Sequence, residues 1–279
     1  MQVAEAPFPT SGPDEVIIKN RAVAVNPVDW VLQDQGTSMA FGWIKYPFVF
    51  GYDVAAEVVQ VGNKVVRFKV GDRVLGQAHR TDKKINSAAY GAYQLYTVLL
   101  ERNTSPIPDT LSFESASVMP LGFTTAAAGL FEKDQLGLQY PQLEPKPTGK
   151  TVLVWGDSTS VGCNAIQLAV AAGYEVISTS SPKHFDLLRS LGASEVFDYN
   201  DPSAVDKIIR AMEGKKCAGA VSIGENAIFR CLDVLGSCKG NKHIAMATYP
   251  IPAQPKRLVA LQIVWSFATS MIFSPSNQS

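Results

Sequence analysis

Cysteine and histidine are scarce in this chain of 279 residues, which has four of the first and three of the second. Cys163, Cys217, Cys231 and Cys238 form no C-x-x-C pair, and the first 162 residues contain none. That excludes a disulfide framework and a zinc knuckle. His79, His184 and His243 are scattered and offer no H-x-x-x-H pair. All seven read as ordinary core or surface residues, with thiols kept reduced, so a cytoplasmic protein is expected.

Charge of one sign is lacking too. Lys plus Arg and Asp plus Glu both come to 25. No net field draws nucleic acid or an anionic membrane, and no basic run is interleaved with aromatics. Long apolar runs are also missing. "LVALQIVWSFATSMIF", Leu258 to Phe273, has 16 residues and includes Gln262, Ser266, Thr269 and Ser270. A bilayer span needs roughly 20 apolar residues. The run is expected to be a buried or subunit-interface strand, and a homodimer follows as an expectation. "MQVAEAPFPTSGPDE" has no apolar segment of the kind a signal peptide carries.

What is present falls into two halves. Apolar residues make up 46% and charged residues 18%, as in globular proteins. The first 120 residues or so hold short β-branched runs broken by glycine and proline: "EVIIKN", "AVAVNP", "DVAAEVVQVG", "DRVLG", "AYQLYTV". That spacing predicts an all-β barrel. "SPIPDTLSFESASVMPL" changes character, with Ser112 as the start of a helix over 114–116.

After Gly149 strands alternate with helices of about ten residues, which implies βαβ units on a parallel sheet. "KTVLVWG" is a buried strand, and "SVGCNAIQLAVAAG" a helix stopped by Gly173. "SPKHFDLLRSLG" predicts a helix with Ser181 as N-cap, Pro182 at its first position and Gly192 as stop. "DPSAVDKIIRAMEG" predicts another, with Asp201 as N-cap and Pro202 following.

The first β–α turn of that series is "VLVWGDSTSVG". Gly156 permits a tight turn, and Gly162 a close backbone approach. Free N–H groups at the helix start would face a pyrophosphate. With two glycines this is less than the full G-x-G-x-x-G pattern, so its place in the series carries the reading. An NAD site sets Asp or Glu at the end of the second strand, about 20 residues on. Here stands "STSSPKH", Ser178 to His184, with hydroxyls and Lys183 but no carboxylate. The set suits a 2′-phosphate, so NADPH is expected. Ser181 as a plain helix cap and Lys183 as a solvated cation are compatible with that.

The chain resembles the medium-chain dehydrogenase/reductases. The carriers are "AVNPVDW", "GYDVAAEVVQVG", "RFKVGDRVLG", "LGFTTAAAGLF", "WGDSTSVGCNAIQLA" and "LGASEVFDY", in family order from about residue 15 to 265. It looks most like the zinc-free fungal branch of trans-enoyl reductases and quinone-oxidoreductase-like enzymes. The resemblance implies a GroES-like β-barrel catalytic domain over 1–120 and a Rossmann NADPH-binding domain over 121–279. It also implies a C-terminal return to the barrel that this chain does not contain.

Zinc members of the family carry Cys-His where this chain has Pro27-Val28-Asp29, and Gly-His-Glu where it has Gly51-Tyr52-Asp53. "QAHRTDKKINSAAYGAY" stands in place of their four-cysteine lobe. Asp53 alone would hold zinc weakly, so a metal-free site is expected.

By the same resemblance, Pro27, Val28, Asp29 and Trp30 lie by the nicotinamide half. Gly156, Ser158, Thr159, Ser160, Val161 and Gly162 wrap the pyrophosphate. Ser181, Pro182, Lys183, His184 and Tyr199 surround the 2′-phosphate, and Met246 and Ala247 touch the nicotinamide side. Phe123, Thr124, Thr125, Ala126, Ala127, Ala128, Gly129 and Leu130 line the substrate pocket. Many relatives have Lys after the Asp-Trp pair, where this chain has Val31.

Without a metal, reduction of an isolated ketone loses its electrophile. An enone or enoyl thioester needs less help, because donors such as Tyr52, Thr124 and Thr125 can hold the enolate oxygen. Tyr52 as a catalytic residue and Tyr52 as a packed barrel aromatic both stay open. The functional expectation is an NADPH-dependent reductase of activated C=C bonds acting on a small molecule, polyketide-derived. The alternatives are carbonyl or quinone reduction, or an NADPH-binding descendant without turnover.

Overall fold

A computed structural model describes residues 2–35, 42–156, 158–224, 226–247 and 263–265. The chain divides into two compact units, Met1–Leu121 and Gly122–Ser279.

The first unit is a five-stranded antiparallel sheet. Its strands are β1 (Glu15–Ala24), β2 (Asp53–Val61), β3 (Arg73–Gln77), β4 (Tyr96–Leu100) and β5 (Thr104–Pro106), in the order β4-β1-β2-β3-β5. "EVIIKN" and "AVA" form one long strand, β1, whose pairing with β2 shifts register twice, at Ile17/Ile18 and Asn20/Ala22. Bulges of this kind bend a strand, which lets one segment serve where two runs were expected. Alternate residues of β2, Val54, Ala56 and Val58, join Val16, Ile18, Val74 and Leu99 in the core. Ala55 faces the other way, against Ile107 and Ala116. The second cover comes from α2 (Phe113–Ser117), and Ser112 is its N-cap as expected, its hydroxyl accepting from Ser115 N at 3.1 Å. Pro106, which cannot donate to a ladder, falls on the edge strand β5.

One element has no counterpart in the sequence reading. Pro27–Gln35 forms a helix, α1. Pro27 takes the first position, where a missing N–H costs nothing. Asp29 reaches back to the Asn26 N–H at 2.9 Å, the return half of a capping box.

The second unit is doubly wound. Its parallel strands are β6 (Lys150–Trp155), β7 (Glu175–Ser180), β8 (Glu195–Asp198), β9 (Lys216–Ser222), β10 (Lys239–Gly240), β11 (Ile244–Met246) and β12 (Ile263–Trp265). Among the described residues the order is β12-β11-β9-β6-β7-β8, with β10 pairing β9. The direction of winding therefore reverses between β6 and β9, the order of the dinucleotide-binding fold.

The continuous apolar run of β6 feeds both faces. Val152 and Val154 pack with Leu130 of α3 (Pro120–Phe131), Ile166 of α4 (Ser160–Ala171) and Leu188 of α5 (Phe185–Ser190). Leu153 and Trp155 pack with Ile208 of α6 (Ala204–Ala211) and with Ile228, Val234 and Leu235 of α7 (Ala227–Ser237). Gly173, at φ +83°, ends α4.

Two helix starts differ from expectation. Ser181 and Pro182 open a short 3-10 turn, Pro182–His184, and the α-helix proper begins at Phe185. Ser181 makes no side-chain cap bond. Asp201 closes a turn instead of a helix: its carboxylate accepts from Ser203 N at 2.8 Å and Lys207 Nζ at 2.5 Å, and α6 starts at Ala204. In both cases proline holds a tight turn that precedes the helix. Of the apolar tail, Ile263–Trp265 runs parallel to β11. The rest of Leu258–Phe273, and with it most of the expected interface strand, lies outside the described residues.

Leu130 is fully buried among β6 and α4. Leu130→Ala is expected to lower stability by about 2–5 kcal/mol in urea unfolding.

Candidate functional site

The start of β2 brings two carboxylates together with backbone donors. Asp29, on α1, is 4% exposed. Its Oδ1 accepts from Gly51 N at 3.1 Å, and its Oδ2 from Asn26 N and from the Tyr93 hydroxyl, both at 2.9 Å. Asp53 is 1% exposed. It accepts from Asn26 Nδ2 at 3.0 Å and from Leu121 N at 2.8 Å. Asn26 thus bridges the two acids.

Burial outweighs these donors. It raises the Asp29 carboxyl above its ordinary value, and it pushes Asp53 to about 7, with the charge of Asp29 adding to the rise. A carboxylate partly denied its charge, with each oxygen already engaged, is a poor metal ligand. Among the described residues no three of His, Cys, Asp and Glu converge. The donor set does not fit zinc.

Tyr52 is buried, and its hydroxyl donates to Thr81 Oγ1 at 2.9 Å. Burial drives the phenol well above its usual 10. It is a neutral hydroxyl across the working range and a weaker acid than an ordinary tyrosine. On α1, Pro27 and Trp30 are exposed and Val28 is half-buried, while Asp29 points inward to the network above. Asp29 therefore serves the fold, and the surface by which α1 can meet a ligand is that of Pro27, Val28 and Trp30.

In the second unit, β6 ends at Trp155 and turns at Gly156, which has φ +96°. A side chain here would be strained, and its Cβ would sit on the Ile223 carbonyl oxygen beyond β9. The glycine lets the two strand ends at the reversal point close up. Thr159 is the N-cap of α4: its Oγ1 accepts from Gly162 N at 3.1 Å and donates to Gly156 O at 3.0 Å. Ser158, Thr159 and Ser160 are exposed, Val161 is half-buried and Gly162 is buried. The result is an open polar turn at a twelve-residue helix's N-terminus.

At the end of β7, Ser178, Thr179 and Ser180 are fully buried. Thr179 Oγ1 accepts from Gly156 N at 3.2 Å, which couples the second strand to the glycine turn. Beyond it Ser181 and His184 are half-buried, and Pro182, Lys183 and Tyr199 are exposed. One carboxylate escaped the sequence reading. Asp198 on β8 lies in register with Ser180. Its Oδ1 is taken by Asn200, accepting from the backbone N at 2.9 Å and from Nδ2 at 3.1 Å. "SEVFDY" contained this acid, but only strand pairing sets it beside β7.

The expected substrate-lining run splits. Phe123 is 42% exposed and Thr124 and Thr125 are half-buried. Ala126, Ala127, Ala128 and Leu130 are buried, and Ala126, Ala127 and Leu130 belong to the core against β6 and α4. Gly129 is buried too, and a Cβ on it would press Ala245 of β11 at 3.3 Å. A helix can offer one face to a ligand while the other covers the sheet, and the alanines take the second task. Met246 is likewise buried in the core, while Ala247 is half-buried and donates its N–H to Ser222 O at 2.9 Å.

Asp53 sets a pH dependence. In the folded chain it holds a proton up to about pH 7, and in the unfolded chain only to about 3.8. The folded state binds more protons between those values, so stability falls as pH rises through that window. Asp53→Asn is expected to remove a fall on the order of 4 kcal/mol at most. Urea unfolding of both proteins near pH 5 and near pH 7.5 measures it; parallel pH profiles would refute the assignment.

Comparison with known proteins agrees with both units. Residues 12–109 match the alcohol dehydrogenase GroES-like domain, and residues 160–237 match the zinc-binding dehydrogenase family. Dehydrogenase pigH of Monascus ruber is 54% identical over 274 residues, 98% of this chain and 74% of that protein. Trans-enoyl reductase tndF of Aspergillus flavipes is 34% identical over 271 residues, 96% of this chain and 76% of its own. Among solved structures, a quinone oxidoreductase from Pseudomonas syringae pv. Tomato DC3000 aligns with a TM-score of 0.70 at 25% identity, over 96% of this chain and 77% of its own. The CurK enoyl reductase shares the fold, with a TM-score of 0.73 at 22% identity, over 96% of this chain and 77% of its own. With a GroES-like domain, a dinucleotide-binding sheet and relatives that align along nearly its whole length, the chain belongs to the medium-chain dehydrogenase/reductase superfamily of oxidoreductases, among the fungal dehydrogenases and trans-enoyl reductases.

Proposed function

We propose that this protein is an NADPH-dependent reductase of activated C=C bonds that works without a metal. The observation that carries the reading is the pair of sites just described. One is an open polar turn at the N-terminus of α4, at the reversal point of the sheet. The other is a pair of buried carboxylates, already hydrogen-bonded, at the position where a metal would be held. Relatives named trans-enoyl reductases support the reaction class.

The turn fits a dinucleotide. Gly156 leaves room at the strand end, Thr159 holds the helix start, and the backbone of Ser158, Ser160 and Val161 offers donors to a pyrophosphate. Ser181, whose hydroxyl makes no cap bond, and exposed Lys183 suit a 2′-phosphate, with Pro182, His184 and Tyr199 around the adenosine. Asp198 is engaged with Asn200 and leaves that group to them. Pro27, Val28, Trp30 and Ala247 are assigned to the nicotinamide half.

When bound, NADPH supplies a hydride, which adds to the β carbon of an enone or enoyl thioester. The electron pair moves to the carbonyl oxygen as an enolate. Thr124, with Thr125, donates a hydrogen bond to that oxygen, and Phe123 packs against the carbon skeleton. The α carbon then takes a proton from solvent, since Tyr52 keeps its own. Its buried hydroxyl positions Thr81. A small polyketide-derived substrate fits the fungal relatives, and a cytoplasmic setting fits four free cysteines. A homodimer joined near β12 completes the reading. Among the described residues no helix is long and apolar enough to cross a membrane.

NADPH is expected to bind at least about tenfold more tightly than NADH, one charge-assisted bond being worth about 1.5–3 kcal/mol. Lys183→Ala should erase most of that preference and leave NADH binding unchanged. Equal affinities of the wild type in a fluorescence titration would refute the assignment. Turnover of a small enone panel, compared with simple ketones and quinones, separates the C=C reading from carbonyl or quinone reduction; binding with no turnover of any would leave a cofactor-binding protein. Elemental analysis should find no stoichiometric zinc, and chelators should leave the rate unchanged.

A further inference from the structure

A buried cation in the first unit has no counter-charge among the described residues. Arg80, in the segment after β3, is 6% exposed. Charged side chains are almost never buried so far without a partner of opposite sign. Yet no carboxylate lies within ion-pair distance of Arg80 among the described residues, and burial alone governs its protonation. Its single hydrogen bond runs from Nη1 to the neutral Asn86 Oδ1 at 2.7 Å. Nε is buried and has no partner. The guanidinium lies over the Phe48 ring at 4.4 Å from its centroid, which steadies a cation without neutralising it.

The nearest acid in sequence is spoken for. Asp82 is buried, and its Oδ1 accepts from Lys84 N at 2.7 Å and Ile85 N at 3.4 Å. Asp82 does act on His79, which burial holds at about 4 and so neutral near pH 7. A second cation, Lys83, stands 6.0 Å from the centroid of the Trp43 ring. Trp43 Nε1 in turn donates to Thr81 O at 3.0 Å, and Thr81 Oγ1 accepts from Tyr52. Tyr46, Phe48 and Phe50 form an edge-on aromatic row, of which Phe48 lies against Arg80. The guanidinium therefore lies against an aromatic ring, with its Nε unpartnered and its hydrogen bond leaving through Nη1.

We propose that Arg80 is the anchor for an anionic group, a carboxylate or a phosphate, on the molecule this protein binds. A planar fork of two N–H donors matches either group, and an ammonium does not reproduce it. The anion supplies the counter-charge that the fold withholds, and the aromatic row takes the carbon skeleton attached to it. Asn86 fixes the far side of the guanidinium, so the unpartnered Nε is held in one orientation. The inference deepens the reading above by naming a charged group on the substrate.

The test is a calorimetric titration of the full chain, without NADPH and without turnover, so its outcome is separate from that of the reductase assignment. Crotonate probes the carboxylate source and inorganic phosphate the phosphate source. The wild type should bind one of them saturably. Arg80→Gln should weaken that binding at least about tenfold, and Arg80→Lys should weaken it by several-fold, since it keeps the charge and loses the fork. If Arg80→Gln does not fold, the wild type and Arg80→Lys decide alone. Absence of saturable binding of both anions by the wild type, or affinities unchanged in the variants, would overturn the proposal.

Discussion

The interaction on which the first unit depends is the bridge that Asn26 makes between two buried acids. Its backbone N–H serves Asp29 and its side-chain amide serves Asp53. Through Asp29 the end of β1 and the start of α1 are tied to Gly51 and Tyr93. Through Asp53 the start of β2 is tied to the Leu121 amide. Burying two carboxylates is costly, and five N–H or O–H donors offset part of that cost. Removing any one donor leaves a buried acceptor short.

The same bridge changes what the position can do. By the resemblance drawn from the sequence, zinc-binding relatives would place metal ligands at these positions. Here they face backbone amides and each other. On the metal-free reading proposed above, the burial that raises Asp53 to about 7 and the engagement of both its oxygens make it a poor ligand, because a ligand must be ionised and must have a free oxygen. On that reading, the chemistry left to this unit is that of neutral hydroxyls, of apolar surface and of the cation at Arg80.

The second unit rests on a different constraint, the closeness of β6 and β9 at the point where winding reverses. Gly156 is obliged by its positive φ and by the Ile223 carbonyl beside it. Its N–H goes to Thr179, and its carbonyl receives Thr159. The cofactor site proposed at this point rests on topology as much as on residue type, since the helix behind the turn points its N–H groups at whatever lies there.

Much of this was legible in the sequence. The apolar run of β6, the glycine after it and the Gly173 stop specify a strand, a turn and a helix by short-range rules of burial and dihedral freedom. Sequence order likewise gave the alternation that makes a parallel sheet. Helix starts were less legible: at Pro182 and Pro202, proline signals a tight turn as readily as a helix, and only packing decides which. Contacts far apart in the chain were not legible at all. That Tyr93 would serve Asp29, that Asp198 would stand beside Ser180, that the alanines of α3 would cover the sheet instead of a ligand, and that Arg80 would be buried without an acid are matters of register and packing. They depend on which residues long-range pairing brings together, and no local pattern encodes that choice.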